Sequence, residues 1–154
     1  MDTSAITNGS IRVVELPPCR MASSSGQPLD EFGAWWTELD RQRTDRFYPR
    51  DFMYFDRAGE RLVWLYAAAS GVQVPPHYSV VSFAGGLYAV SSCIDGDDVD
   101  GERVYTAICR WIDETNDLSR DERPDRPHLF HVITSDAAFE KLGYRQLDIY
   151  VPVK

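Results

Sequence analysis

The stretch Ser79–Gly96 constrains the fold more than any other part of the chain. Ser79 to Phe83 is rich in β-branched and aromatic residues, Ala84-Gly85-Gly86 follows, and Leu87 to Ile94 is a second β-rich run. Adjacent glycines between two such runs predict a tight strand-to-strand corner, because glycine reaches positive φ without steric cost. The stretch also has an earlier counterpart. Glu15–Ser25 lies over Ser82–Ser92 without a gap, with Leu16 over Phe83, Ala22 over Ala89 and Ser24-Ser25 over Ser91-Ser92. Each copy is followed by a tryptophan-bearing helical pattern, so the reading is a duplication.

The rest of the chain fits that scheme. Ile11 to Leu16 reads as a strand, Pro17-Pro18 as a turn, and Cys19 to Ala22 as the facing strand. Phe32, Trp35, Trp36 and Leu39 fall at helical spacing, with Asp30 and Glu31 in the first turn, and this helix is expected to fade near Arg43-Thr44. A charged link through Arg46-Phe47-Tyr48-Pro49-Arg50 leads to a hairpin of Asp51–Asp56 and Arg61–Ala68, turned at Arg57-Ala58-Gly59-Glu60. Asp95 to Gly101 reads as a solvated acidic loop. A second helix is expected from about Glu102 to Thr115 on the stripe Val104, Ile108, Trp111 and Ile112. A loop from Asn116 to Pro127, a strand from His128 to Thr134, a helical turn at Ser135–Gly143 and a last strand from Gln146 to Val153 complete the order βαββ, βαββ. The expected fold class is α+β: duplicated βαββ units forming antiparallel sheet, with two main helices and a cleft between the halves. Residues 1–10 are expected to be a flexible start and 11–154 one domain, with repeats of about 11–72 and 77–154.

Composition narrows the function. With 24 acidic against 16 basic residues, the chain carries a net charge of -8 and no basic stripe, which argues against direct nucleic-acid contact. Three cysteines without paired spacing argue against a disulfide framework or a zinc site and fit a reduced, cytoplasmic setting. No apolar run reaches membrane-spanning length. No metal or cofactor is expected. Exposed sheet edges would allow a homodimer without requiring one.

Four motifs occur in order across residues 11–154. They are Val14-Glu15-Leu16-Pro17, Phe83-Ala84-Gly85-Gly86-Leu87-Tyr88-Ala89-Val90, Ile108-Cys109-Arg110-Trp111-Ile112 and the closing Leu147-Asp148-Ile149-Tyr150-Val151-Pro152-Val153-Lys154. In these the chain resembles the GyrI-like small-molecule-binding domain, also known as the bacterial transcription-activator effector-binding domain. The resemblance implies a duplicated βαββ fold that binds hydrophobic, often aromatic and cationic compounds in a cleft between its halves. Many members are fused to a helix-turn-helix; others stand alone, and a few hydrolyse electrophilic natural products. Only about 10 residues precede the first strand here, so a standalone binding protein is expected. Members commonly carry a glutamate in the strand after the second helix, in a motif like Phe-Glu-x-Tyr. Aligning Phe130 with that phenylalanine puts His131 at the glutamate, and a one-residue slip puts Phe130 there. On either alignment the buried carboxylate is missing.

The candidate ligand-binding residues are Trp36, Tyr54, Trp64, Tyr66, Tyr88, Trp111, Phe130 and His131. Aromatic faces suit flat or cationic ligands, and the same side chains serve equally well as core. Trp35 and Trp36 point about 100° apart on a helix, so one can face a ligand while the other packs. His77 and His128 are expected to face solvent, and Cys93 and Cys109 to be small buried hydrophobes. The favoured expectation is sensing or sequestration of a hydrophobic, aromatic or cationic small molecule, with no enzymatic role. The alternatives are a hydrolase in which His131 and Tyr66 place water, and a protein-inhibitor module acting through its acidic surface.

Overall fold

The computed structural model describes residues 10–45 and 49–154. The start expected at residues 1–9 and the Arg46-Phe47-Tyr48 part of the link lie outside the described residues. The elements are β1 (Arg12–Leu16), β2 (Cys19–Ser23), α1 (Leu29–Asp40), β3 (Asp51–Asp56), β4 (Arg61–Tyr66), β5 (Ser79–Phe83), β6 (Gly86–Ile94), α2 (Asp98–Glu114), β7 (Leu129–Val132), α3 (Asp136–Leu142) and β8 (Gln146–Pro152). The class is α+β, and every ladder described below is antiparallel.

Contacts divide the chain into two units: residues 17–85, and the residues up to 16 together with 86–154. The first strand therefore does not belong with the residues that follow it. β1 pairs with β6, and β2 pairs with β5 and β4, so the expected pairing of β1 with β2 is not found. Pro17-Pro18 and Ala84-Gly85 are the two-residue breaks at which the chain passes from one unit to the other. Gly85 and Gly86 take φ of 69° and 111°, as the corner requires.

In the 17–85 unit the strand order is β3-β4-β2-β5, and in the other it is β7-β8-β6-β1, the same order once each strand is matched to its counterpart. In the β1–β6 ladder Arg12 faces Val90 and Leu16 faces Gly86; in the β2–β5 ladder Cys19 faces Phe83 and Ser23 faces Ser79. Partner numbers add to the same total in both ladders, which is the register that the gap-free sequence match demands.

Each unit buries a helix on its sheet. In the 17–85 unit, Phe32 is fully buried and packs with Ala22, Tyr66 and Tyr78, with Trp35, Trp36 and Trp64 closing over them. Gly33 is buried where a Cβ would lie 2.7 Å from the Trp64 ring, so its lack of a side chain lets α1 sit on that indole. α1 ends at Asp40, three residues before the expected fade, in short-range turns that Gln42 and Arg43 close by donating to the carbonyls of Leu39 and Asp40. In the other unit Val104, Ile108, Cys109 and Ile112 of α2 pack on Ala89, Cys93, Ile149 and Val151. The larger side chains, Val104, Ile108, Ile112, Ile149 and Val151, each contribute about 1.5–3 kcal/mol of burial.

α2 begins four residues earlier than expected. Asp97 caps it by accepting a hydrogen bond from the Asp100 amide at 3.0 Å, and Asp98 and Asp100 occupy the first turn. Most of the acidic loop is thus a helix start, where negative charge meets the positive end of the dipole. α3 is framed by Ser135, which accepts from the Ala138 amide, and by Gly143 at φ 78°.

Candidate functional site

The sheet of the unit holding β1 and β6–β8 has two different faces. Strand alternation puts Ala89, Cys93, Ile149 and Val151 against α2. Tyr88, Val90 and Ser92 of β6, Asp148 and Tyr150 of β8, Leu129 and His131 of β7, and Arg12 of β1 therefore share the other face. The register sets them in rows: Ser92, Asp148 and His131 are successive ladder partners, as are Arg12, Val90, Tyr150 and Leu129. Directly opposed residues on antiparallel strands point the same way and touch.

This face carries a carboxylate that the sequence reading missed. Asp148 is only 4% exposed. Ser92 donates its hydroxyl to Oδ1 at 2.5 Å, and Arg12 donates from Nη2 to Oδ2 at 2.9 Å. The motif position on β7 is still held by His131, and a different carboxylate stands on β8, directly across the ladder from it. Two buried tyrosines lie further along the same face, Tyr150 two residues on in β8 and Tyr88 opposite Pro152. Tyr88 meets Tyr150 edge-on at 6.2 Å, and the Arg126 guanidinium lies 4.7 Å above the Tyr88 ring. Burial raises the Tyr88 phenol against the opposing pull of Arg126, so it remains a neutral donor. Carboxylate, hydroxyl and imidazole groups offer no soft thiolate or thioether ligand for a metal. Among the described residues no group of three His, Cys, Asp or Glu is placed to hold a metal ion.

The helix side of the same unit carries Trp111 and Phe130, both packed on the α2 core. Beside them lies a polar cluster. Tyr105 donates its hydroxyl to Glu122 Oε1 at 2.7 Å, and His128 Nδ1 lies 2.9 Å from Glu122 Oε2. His128 is therefore half-buried and paired rather than solvent-facing. Arg120 donates to the Cys109 sulfur at 3.1 Å. Burial opposes ionisation of Glu122, but the hydrogen bonds from His128 and Tyr105 outweigh it and hold its carboxyl below the ordinary value of 4.5. A carboxyl depressed in the folded state contributes stability above its unfolded pKa and loses it as pH falls through the folded one. Glu122→Gln is thus expected to lower Tm by a constant amount between about pH 6 and 5, with the gap to the unsubstituted protein closing below about pH 4.5. Melts across pH 6 to 3 check this, and a gap that stays constant to pH 3 would rule out the role.

In the 17–85 unit the aromatic candidates fall on both faces. Trp36 stacks on Tyr66 with centroids 5.0 Å apart and 17° between planes, and meets Trp64 edge-on at 5.4 Å. Trp64 Nε1 donates to Asp51 at 3.0 Å. The Tyr66 hydroxyl donates to Asp40 and accepts from Arg43, both at 3.1 Å. These three rings lie on the α1 side of their sheet, whereas Tyr54, whose ladder partner is Val63, lies on the opposite face. Of the eight candidates, Tyr88 and His131 share the Asp148 face; Trp36 of α1 clusters with Trp64 and Tyr66 of β4; Trp111 of α2 and Phe130 of β7 pack on the α2 core. Cys93 and Cys109 are buried, and burial pushes the Cys93 thiol up to about 11.

No family model matches the chain, and no curated protein matches it. Solved structures do. The fold is shared with the EcmrR C-terminal domain at TM-score 0.61 and 12% identity, covering 94% of this chain and 96% of that one. A hydrolase from Listeria innocua matches at TM-score 0.60 and 11% identity, over 94% of this chain and 92% of its own. SAV2435, solved bound to tetraphenylphosphonium, matches at TM-score 0.53 and 11% identity over 94% and 93%. At these identities the likeness is one of fold. No helix among the described residues is long and apolar enough to cross a membrane.

Proposed function

We propose that the chain is an effector-binding domain of the GyrI-like type, built from two repeats, that binds a hydrophobic, aromatic organic cation. The observation that carries this reading is Asp148, a buried carboxylate directly across the ladder from His131 on the sheet face that also carries Tyr150 and Tyr88. A buried carboxylate is stabilised by a cationic partner, and a cation over a tyrosine face is favourable. The fold shared with a tetraphenylphosphonium-bound protein and with a C-terminal domain of EcmrR supports the same reading. A hydrolase has the same fold. Binding is favoured over hydrolysis because both Asp148 oxygens already accept hydrogen bonds, from Ser92 and Arg12, which leaves the carboxylate poorly placed to activate water. Direct DNA contact is not part of the reading.

Calorimetric titration with tetraphenylphosphonium and with the neutral triphenylphosphine oxide tests it. The cation is expected to bind with Kd of about 10 µM or tighter, and Asp148→Asn to weaken it about tenfold while leaving the neutral compound unchanged. No heat and no thermal shift with either compound would dismiss the reading.

A further inference from the structure

We infer that Arg12 is a built-in competitor for the cation site, a tethered guanidinium that occupies Asp148 until a ligand displaces it. The inference rests on the proposed binding at Asp148 and adds how that site is gated. The two partners differ sharply in exposure. The Asp148 side chain is 5% exposed and the Arg12 side chain 55%, so the carboxylate is fixed inside while most of the arginine remains in solvent. Arg12 stands on β1, the edge strand of its ladder, and reaches across β6 to β8 to make the contact. Asp148 needs a cation: a buried carboxylate is tolerated when paired and strongly destabilising when it is not. Arg12 does not need Asp148, because a half-exposed guanidinium released from the pair is rehydrated at little cost. The arginine can therefore exchange for another cation, and any cation delivered to Asp148 must replace it.

Two consequences follow from mass action. The apparent affinity for a cationic ligand is reduced by the fraction of molecules in which Arg12 is away from Asp148. Selectivity is raised as well, since a neutral aromatic compound leaves Arg12 in place and takes only the tyrosine surfaces, while a cation gains the carboxylate. Arginine suits this role because its planar fork recognises carboxylate well and stays charged at every physiological pH.

The test uses the full chain. Arg12→Met keeps the apolar stem on the strand and removes the charge. Tetraphenylphosphonium is expected to bind this variant about a hundredfold more tightly than the unsubstituted protein, with triphenylphosphine oxide unchanged; adding Asp148→Asn is expected to abolish the gain. Equal or weaker cation binding by Arg12→Met would overturn the gate while leaving the binding reading standing, whereas silence from every version would overturn the binding reading itself. A measurement on the unsubstituted protein guards against a poorly folded variant. The Arg12 Nε–H resonance is expected to move to its free-arginine position as tetraphenylphosphonium saturates the site, and a resonance that stays put at saturation would equally overturn the gate.

Discussion

Phe32→Ala is expected to remove about 3–5 kcal/mol of stability, a large share of what a domain of this size possesses. Phe32 has no exposed surface. Its ring meets Tyr78 edge-on at 4.9 Å and lies 5.6 Å from Trp35 and 6.2 Å from Trp64. Removing it leaves a void walled by large, stiff rings that cannot collapse inward, the circumstance in which the cavity cost approaches its maximum. The loss also uncouples α1 from β4, since Trp35 and Trp64 each pack on that ring. Urea melts followed by tryptophan fluorescence report on it directly. Phe55→Ala, at a position 48% exposed on β3, serves as the control and is expected to stay within about 0.5 kcal/mol. A Phe32→Ala loss below about 1 kcal/mol would show that α1 is not the organising element of its unit.

That helix was legible because its evidence is local. Phe32, Trp35, Trp36 and Leu39 fall on one stripe whatever the rest of the chain does, and the β3–β4 hairpin is equally a short-range pattern. The partner of β1 was not legible. Pro17-Pro18 looks like a hairpin turn in isolation, and only the long-range register shows that it carries the chain from one unit into the other. The start of α2 was misread for a different reason. Asp97, Asp98 and Asp100 are poor helix formers in a helix interior but good caps and first-turn residues, and composition does not separate a solvated loop from a capped terminus. Asp148 was missed through the alternation of Leu147, Ile149 and Val151, which assigns the residues between them to solvent. That holds only when the second face is wet. Here Tyr150 is 5% exposed and His131 4%, so both faces are buried. Tyr150 and Pro152, large or apolar at alternate positions with Asp148, were the available signal. The Glu122 cluster gave no such sign, because its members come from a helix, a loop and a strand end.

The exposure difference between Arg12 and Asp148 predicts unequal costs when the pair is broken from its two sides. Arg12→Met leaves the carboxylate with the Ser92 hydrogen bond but without its cation, and is expected to destabilise by about 3 kcal/mol, near the low end for an uncompensated buried charge. Asp148→Asn releases a guanidinium that water already reaches and keeps an oxygen for Ser92, so its cost is expected to stay below about 1 kcal/mol. The double variant has no buried charge left to compensate. It is therefore expected to be more stable than Arg12→Met alone by about 2 kcal/mol, a coupling that additive contacts would not produce. Chemical melts of the four proteins at pH 7 close this cycle. Tetraphenylphosphonium, by supplying the missing charge, is expected to raise the Tm of Arg12→Met more than that of any other version. Equal losses from the two single changes would mean that Asp148 is solvated in place of buried and paired, and would remove the physical ground for a cation at that position.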